Sequence, residues 1–281
     1  MKPSTAPSTS ASSPVTPLRR SKRINTRIRA VTLVGLLGAW ELLSRLGLIS
    51  QFALPAPTRI AETLYTLATI GFPNGINVFV HMKATMVRII DGYLLGSVTA
   101  VPLGLLVGRL PLLERSVNPV ITFARSIATI SLLPLAVAWF GVGELARVLL
   151  ITYAVFWAVL TNTIDGASSV DRDLLNVART FGTSRLRMFF RVVLPATLPR
   201  IFSGLRVGLG LAFMVIIGVE MIGTIVGLGA LIEEGQQFYR TDVAIAGTVL
   251  IGVFGLALSL LLDLVERIVM PWAAGLRDVK R

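Results

Sequence analysis

Six stretches of the chain, 31–49, 88–108, 119–140, 145–164, 201–223 and 243–265, are each apolar over about the 20 residues that a helix needs to cross a bilayer. Hydrocarbon offers no water to an unpaired backbone amide, so a segment at that depth must satisfy its own hydrogen bonds. Only helices and closed barrels do so, and stretches of this length are helices. The fold class expected is therefore an all-α integral membrane protein with about six transmembrane helices. Pro102, Pro134, Gly92, Gly96, Gly104 and Gly108 fall inside these stretches. They would damage helices in water but are tolerated in a bilayer. Gly92/Gly96, Gly104/Gly108, Gly204/Gly208 and Gly223/Gly227 are small residues four apart, the spacing that lets two helix backbones approach closely.

Only 15% of the 281 residues are charged, where a soluble domain carries about 25%. The balance is basic, 27 Lys+Arg against 15 Asp+Glu. In a soluble chain that excess would suggest nucleic acid; here it serves orientation, and no nucleic-acid partner is expected. With the N-terminus inside, Lys and Arg crowd the inner segments. The outer ones hold only Arg59, Lys83, Arg88, Arg147 and Arg240. By the positive-inside rule both termini are cytoplasmic. Cysteine is absent and His81 is the single histidine, which excludes disulfides, thiolate metal sites and histidine-based triads. The four lysines (Lys2, Lys22, Lys83 and Lys280) never follow a glycine, so there is no P-loop. If ATP drives this protein, another chain binds it.

Residues 1–30, polar and ending in a basic run, are expected to form a disordered cytoplasmic tail, followed by a first transmembrane helix at 31–49. Residues 50–87 form an extracytoplasmic segment with a short interfacial helix. Pro57 and Thr58 suit its first turn, and Ile60, Leu64 and Leu67 give its apolar stripe. A five-helix core spans 88–265, and 266–281 is a cytoplasmic tail.

The most polar part of the body is the inner loop 165–200. Ser168-x-x-Asp171 has the form of a capping box opening a helix through Leu174, Leu175, Ala178 and Phe181, with Asp173, Asn176, Arg179 and Thr180 on its other surfaces. Gly182 ends it, since glycine takes the left-handed conformation freely. A second amphipathic helix sets Leu186, Phe189, Phe190, Val193 and Leu194 against Arg185, Arg187 and Arg191, and Pro195 and Pro199 are expected to stop it. Two short helices hinged at a glycine suit a partner's groove; arginines meeting lipid headgroups are the competing reading.

Charges inside spans are costly and default to function. Arg125, Arg206 and Glu220 are the candidate translocation-path residues, the two arginines favouring an anion. Against this, the arginines can snorkel to inner headgroups and Glu220 can pair near the outer surface.

The spacing Ala178-x3-Gly182-x9-Val192-x-Leu194-Pro195 resembles the EAA loop of ABC importer permeases, E-A-A-x3-G-x9-I-x-L-P. Leu133-Pro-Leu-Ala-Val-Ala-Trp-Phe-Gly141, the run Asp171 to Gly182, Val219-Glu220 and Thr241-Asp-Val243 extend the likeness to the nitrate, aliphatic sulfonate and taurine permeases. The resemblance implies a type I importer fold in the bacterial inner membrane. It also implies a permease homodimer in lipid, a cytoplasmic ABC ATPase dimer that binds ATP and Mg, and an extracytoplasmic substrate-binding protein. No cofactor and no catalytic or metal residue is expected in this chain. The coupling positions carried over are Asp171, Asp173, Asn176, Ala178, Arg179, Gly182, Leu194 and Pro195. Asn176 stands where the family has glutamate and Val177 where it has alanine, so a salt bridge from that position is lost. The alternative is an ion-coupled secondary carrier. That would call for acidic groups near the midplane and two inverted halves, and neither pattern stands out.

Overall fold

In the computed structural model, residues 22–48, 50, 52–72 and 75–273 are described; most of the N-terminal tail and the end of the C-terminal tail lie outside the described residues. Eleven α-helices follow in chain order among them: α1 Lys22–Arg45, α2 Pro57–Thr69, α3 Val78–Arg109, α4 Pro111–Ser126, α5 Leu133–Phe140, α6 Glu144–Ser168, α7 Arg172–Thr180, α8 Arg185–Met188, α9 Leu194–Glu220, α10 Leu228–Gln237 and α11 Thr241–Val269. Three of them, α3, α6 and α11, are long and apolar enough to cross a membrane, as is the continuous helix from Arg185 to Glu220. A fifth crossing comes from α4 and α5 taken together. The first helix falls short of the six expected spans, because its basic opening turns, Glu41 and Arg45 leave too short an apolar run.

Glycine spacing decides how the long helices pack. A Cβ on Gly92 would meet Ile151 at 2.6 Å, on Gly96 the Thr152 carbonyl at 2.9 Å, on Gly104 Thr163 at 2.6 Å and on Gly108 the Ile164 carbonyl at 2.7 Å. Contacts that advance together along both chains mean that α3 and α6 run parallel, with their backbones in touch. On the other side of α6, Gly204 faces Asn162 and Gly208 faces Val155 and Val159, which makes α9 antiparallel to it. Three of the four glycine pairs read from sequence thus mark close helix approaches, with α6 central. The fourth, Gly223/Gly227, lies in the α9–α10 turn.

Four local expectations differ. The span expected at 119–140 is broken, and its two halves, Pro111–Ser126 and Thr129–Phe140, meet at 83°. The third helix starts at Val78 rather than 88, because Asn77 caps it by accepting from the Phe79 amide and nothing up to Arg88 breaks it. The stripe Ile60, Leu64 and Leu67 turns onto the bundle rather than outward, and Thr63 donates to the buried Asp242 at the head of α11. At the other end of the molecule, α1 begins at Lys22, inside the tail expected to be disordered. Its two interrupting charges have a use: Glu41 caps α2 through the Thr58 amide and hydroxyl, and Arg45 holds Glu41 at 2.5 Å.

Because Gly104 is closed in by the Thr163 side chain and Gly210 has nothing within 4 Å, the two sites separate packing from helix propensity. Gly104→Val is expected to lower stability in detergent by about 1–3 kcal/mol through overpacking, with Gly210→Ala neutral or slightly stabilising. Thermal unfolding of the two variants side by side checks this.

Candidate functional site

Two regions at opposite ends of the bundle, and a cavity between them, carry the features that packing alone does not require. At the loop end, Ser169 caps α6 and Asp171 opens α7, its Oδ1 accepting from the Asp173 amide at 2.9 Å. Ser168 is instead the last residue of α6, so the expected Ser168–Asp171 capping box does not form. The helix ends as read. Gly182 stands at φ +67°, its amide donates to Arg179 O at 2.9 Å and the Thr183 amide to Ala178 O at 3.2 Å. That pair of bonds is a Schellman motif, which requires a left-handed residue. Nothing lies within 4 Å of a Cβ at Gly182, so conformation rather than space selects glycine.

Pro195 and Pro199 do not stop the next helix. A π-turn at Phe189–Val193 precedes Leu194, whose amide reaches back to Phe189 O. Widening the helix there takes up the mismatch that a proline without N–H imposes. Leu194 and Pro195 are therefore the first residues of α9, and α8 through α9 is one continuous rod to Glu220. Val170, Leu175 and Val193 pack α7 against it. Of the apolar face read for α7, only Leu175 turns inward. Leu174, Val177 and Phe181 are exposed, Phe181 at 83%, alongside Leu186 and Phe190. Asn176 and Arg179 face a groove of about 560 Å³ shared with Arg109, Glu114, Arg115 and Asn118. Asp173 is exposed and Ala178 half-buried.

At the far end lies a cluster that sequence reading missed apart from Glu220. The Glu220 carboxylate is fully buried. It accepts from the Thr85 hydroxyl at 2.8 and 2.9 Å, from Arg88 Nη1 at 2.6 Å and from the Gly229 amide at 2.9 Å. Arg88 spends its other donors on Val226 O at 2.7 Å and, as a fork, on Glu144 at 2.5 and 2.6 Å. Arg147 completes the set, reaching Glu144 Oε1 and Gly223 O at 3.0 Å each. His81 sits one turn before Thr85, its Nδ1 against the Gly227 backbone. A Cβ on Gly227 would strike the Glu220 carboxyl at 2.5 Å, so glycine is the residue that fits. The signal was present: His81, Thr85 and Arg88 recur at helical spacing, a polar stripe entering an apolar helix. Outside the spans, burial pushes the Glu234 carboxyl up, and its Oε2 has no partner. Asp242 holds Arg240 through two bonds at 2.8 and 2.9 Å, pushing that guanidinium further up.

Between the ends, the bend from α4 to α5 opens a cavity of about 490 Å³ against α6 and α9, lined by Arg125, Ile127, Tyr153, Trp157, Asn162 and Met214 among others. Arg206 is elsewhere, bound by Asp263 at 2.8 Å and by Glu266. The three candidate path residues thus occupy three different settings: Arg125 on a cavity, Arg206 in an ion pair with α11, and Glu220 inside the far-end cluster.

Comparison with known proteins gives one pattern. Residues 100–274 match the family described as binding-protein-dependent transport system inner membrane component. The chain is 34% identical to the taurine transport system permease protein TauC of Escherichia coli strain K12, over 86% of this chain and 88% of that one. It is 30% identical to the bicarbonate transport system permease protein CmpB of a Synechocystis strain, covering 85% and 87%. The fold is similar to that of a chain in inward-facing structures of the MetNI methionine ABC transporter, with TM-score 0.58 and 20% identity over 68% of this chain and 95% of that one.

The far-end cluster predicts a specific pattern of non-additivity. Arg88→Met alone leaves the Glu220 carboxylate buried and unpaired and is expected to cost about 3–5 kcal/mol, and Glu220→Leu alone less, since Arg88 keeps Glu144. The double variant Arg88→Met/Glu220→Leu is expected to lose much less than the sum of the two. Detergent unfolding midpoints of the three variants measure it.

Proposed function

The chain belongs to the family of binding-protein-dependent transport system inner membrane components, and from that premise we propose how its parts work. It is a multi-pass ABC importer permease. In our reading it pairs with a second copy, and the path runs at the interface between the two. A separate cytoplasmic ATPase dimer, which binds the ATP and Mg, docks on the loop 165–200. Both termini face that side. A substrate-binding protein delivers a small anionic solute at the far end; the taurine and bicarbonate permeases among the relatives support that class of solute.

The observation that carries the coupling reading is the exposed apolar face of α7 and α8. Leu174, Val177, Phe181, Leu186 and Phe190 are exposed along this helix pair and the turns that follow each helix, interspersed in sequence with Arg179, Arg185 and Arg187, and apolar docking into a groove is how such a helix pair is captured. An arginine-only contact with headgroups leaves that apolar surface unexplained. In this proposal Asp171 and Gly182 fix the two ends of the coupling helix, Leu194 and Pro195 join it to the rod, and Asn176, Ala178, Arg179 and Asp173 form its polar flank. ATP-driven approach of two docked ATPases moves the helix pairs together. Because α8 and α9 are one rod, the motion reaches the far end.

A second observation supports the outer partner. The helix α10 ends in the same Schellman geometry as α7, with Arg240 N donating to Gly235 O at 2.7 Å, yet its left-handed residue is Tyr239 at φ 55°. Tyrosine there is strained where glycine is free. Its ring is 78% exposed and 6.3 Å from that of Phe52, beside the exposed Arg59. Strain kept for an exposed aromatic fits a docking contact.

Two measurements test this. Purified in mild detergent from its native membrane, wild-type protein is expected to retain a P-loop ATPase. Phe181→Glu is expected to weaken that association tenfold or more, by the order of a hot-spot loss, with an unchanged unfolding midpoint. An ATPase held equally by both moves the coupling site elsewhere, and no ATPase with the wild type restores the secondary-carrier alternative. Tyr239→Gly is expected to stabilise the chain by about 1 kcal/mol while lowering stimulation of the ATPase by the binding protein.

A further inference from the structure

The buried Arg88 and Arg147 and the more exposed Arg206 and Arg240 are each held by carboxylates, and Arg125 is exposed on the single chain. Arg88 has Glu144 and Glu220, Arg147 has Glu144, Arg206 has Asp263 and Glu266, and Arg240 has Asp242. Arg125 is treated differently. No carboxylate among the described residues lies within ion-pair distance of it, and none lines the cavity it borders.

Its depth is fixed by one bond. The Tyr153 hydroxyl donates to Ala124 O at 2.5 Å, pinning the last turn of α4 to the middle of α6. At 1.5 Å per residue, Tyr153 lies about 14 Å along the helix from Glu144 and about 22 Å from Ser168. Either distance is long for a side chain to snorkel to headgroups. The bend that follows, at 83°, turns α5 away and leaves the cavity open beside the guanidinium.

Lining chemistry narrows the ligand. Thr161 already donates to the Trp157 carbonyl at 2.5 Å, so its hydroxyl is not a free donor. Asn162 spends one amide hydrogen on Ala158 O at 2.8 Å and keeps the other. Thr129 also lines it, the Trp157 Nε1 hydrogen finds no acceptor among the described residues, and the other walls include the Tyr153 ring, Val207, Leu211 and Met214. One unneutralised cation, the free Asn162 and Trp157 N–H donors and otherwise largely apolar sides fit a monovalent oxyanion on a short organic body better than a cation. The face around the opening carries Phe123, Ile130, Val207 and Met214 exposed, which a second copy would cover.

We propose that this cavity is an anion-binding half-site, in which Arg125 supplies the counter-charge for the sulfonate- or carboxylate-like head of the solute and a second copy supplies the other half. The proposal rests on the permease reading above and adds to it a solute-selecting site within the membrane chain. The same guanidinium chemistry would serve an anionic lipid headgroup, so the test must separate the two sources.

The test uses the full-length chain with Trp40, Trp139 and Trp272 changed to Phe, placed in purely phosphatidylcholine nanodiscs, so that Trp157 alone reports. Iodide is the probe anion, with caesium as the cationic control. Iodide is expected to quench Trp157 more strongly than caesium, to lose that advantage by roughly threefold or more in Arg125→Gln, and to keep it in Arg125→Lys. Arg206→Gln is expected to leave it unchanged. Ethanesulfonate is expected to compete with iodide, and adding phosphatidylglycerol to do so only weakly. Quenching that ignores Arg125→Gln, or that phosphatidylglycerol abolishes while ethanesulfonate does not compete, overturns the proposal. In the assembled transporter, Arg125→Gln is expected to keep ATPase stimulation by the binding protein but lose uptake. Absence of that stimulation with the wild-type chain, with the quenching result intact, counts against the importer reading and not against the anion site.

Discussion

A carboxylate with no exposed surface, inside a bundle built of apolar helices, forces everything around it to be in place. Taking Glu220 out of water costs several kcal/mol unless charge and hydrogen bonds replace the solvent. Its replacements come from far along the chain: Thr85 and Arg88 on α3, and the Gly229 amide at the head of α10. Arg88 in turn needs Glu144, at the first turn of α6, and the Val226 carbonyl in the turn after Glu220. Four segments that otherwise share an apolar core and close glycine contacts are thus registered at one end by a set of charges that sums to neutrality. Removing Arg88 leaves Glu220 buried and unpaired, which is the most damaging loss.

That anchor gives meaning to the continuity of the rod from Arg185 to Glu220. One end carries the exposed Leu186 and Phe190, the middle presents Val207, Leu211 and Met214 to the cavity, and the other end is Glu220 itself. A π-turn at Phe189–Val193 is what keeps the rod whole across Pro195. The helix therefore runs from the loop past the cavity to the charge cluster without a break. The bend between α4 and α5 contrasts with this. There the chain breaks, and the break supplies the space beside Arg125.

The protein uses the same left-handed helix ending twice, with opposite choices of residue. Gly182 takes it without strain in open surroundings, where the loop must simply turn. Tyr239 takes it with strain and holds an aromatic ring out to solvent. Stability alone would favour glycine at both.

Hydropathy and spacing determined the class of fold, the close-packed faces at Gly92, Gly96, Gly104, Gly108, Gly204 and Gly208, the end of α7 at Gly182, and the segment of α7 and α8, because each depends on a local pattern: burial period, steric room at Cβ, or φ sign. The EAA-like spacing added the family. Only the tertiary structure decided the rest. Arg88 read as an outer basic residue and His81 only as a lone histidine, because a sequence does not show that Glu220, 132 residues from Arg88, will lie 2.6 Å away. Pro195 read as a stop, since a proline's effect depends on whether the preceding turn widens. Arg125 and Arg206 looked alike from their positions along a span. Three-dimensional packing gave carboxylates to Arg206 and a cavity to Arg125, because an ion pair across helices is set by which faces meet, and that is a property of the whole bundle.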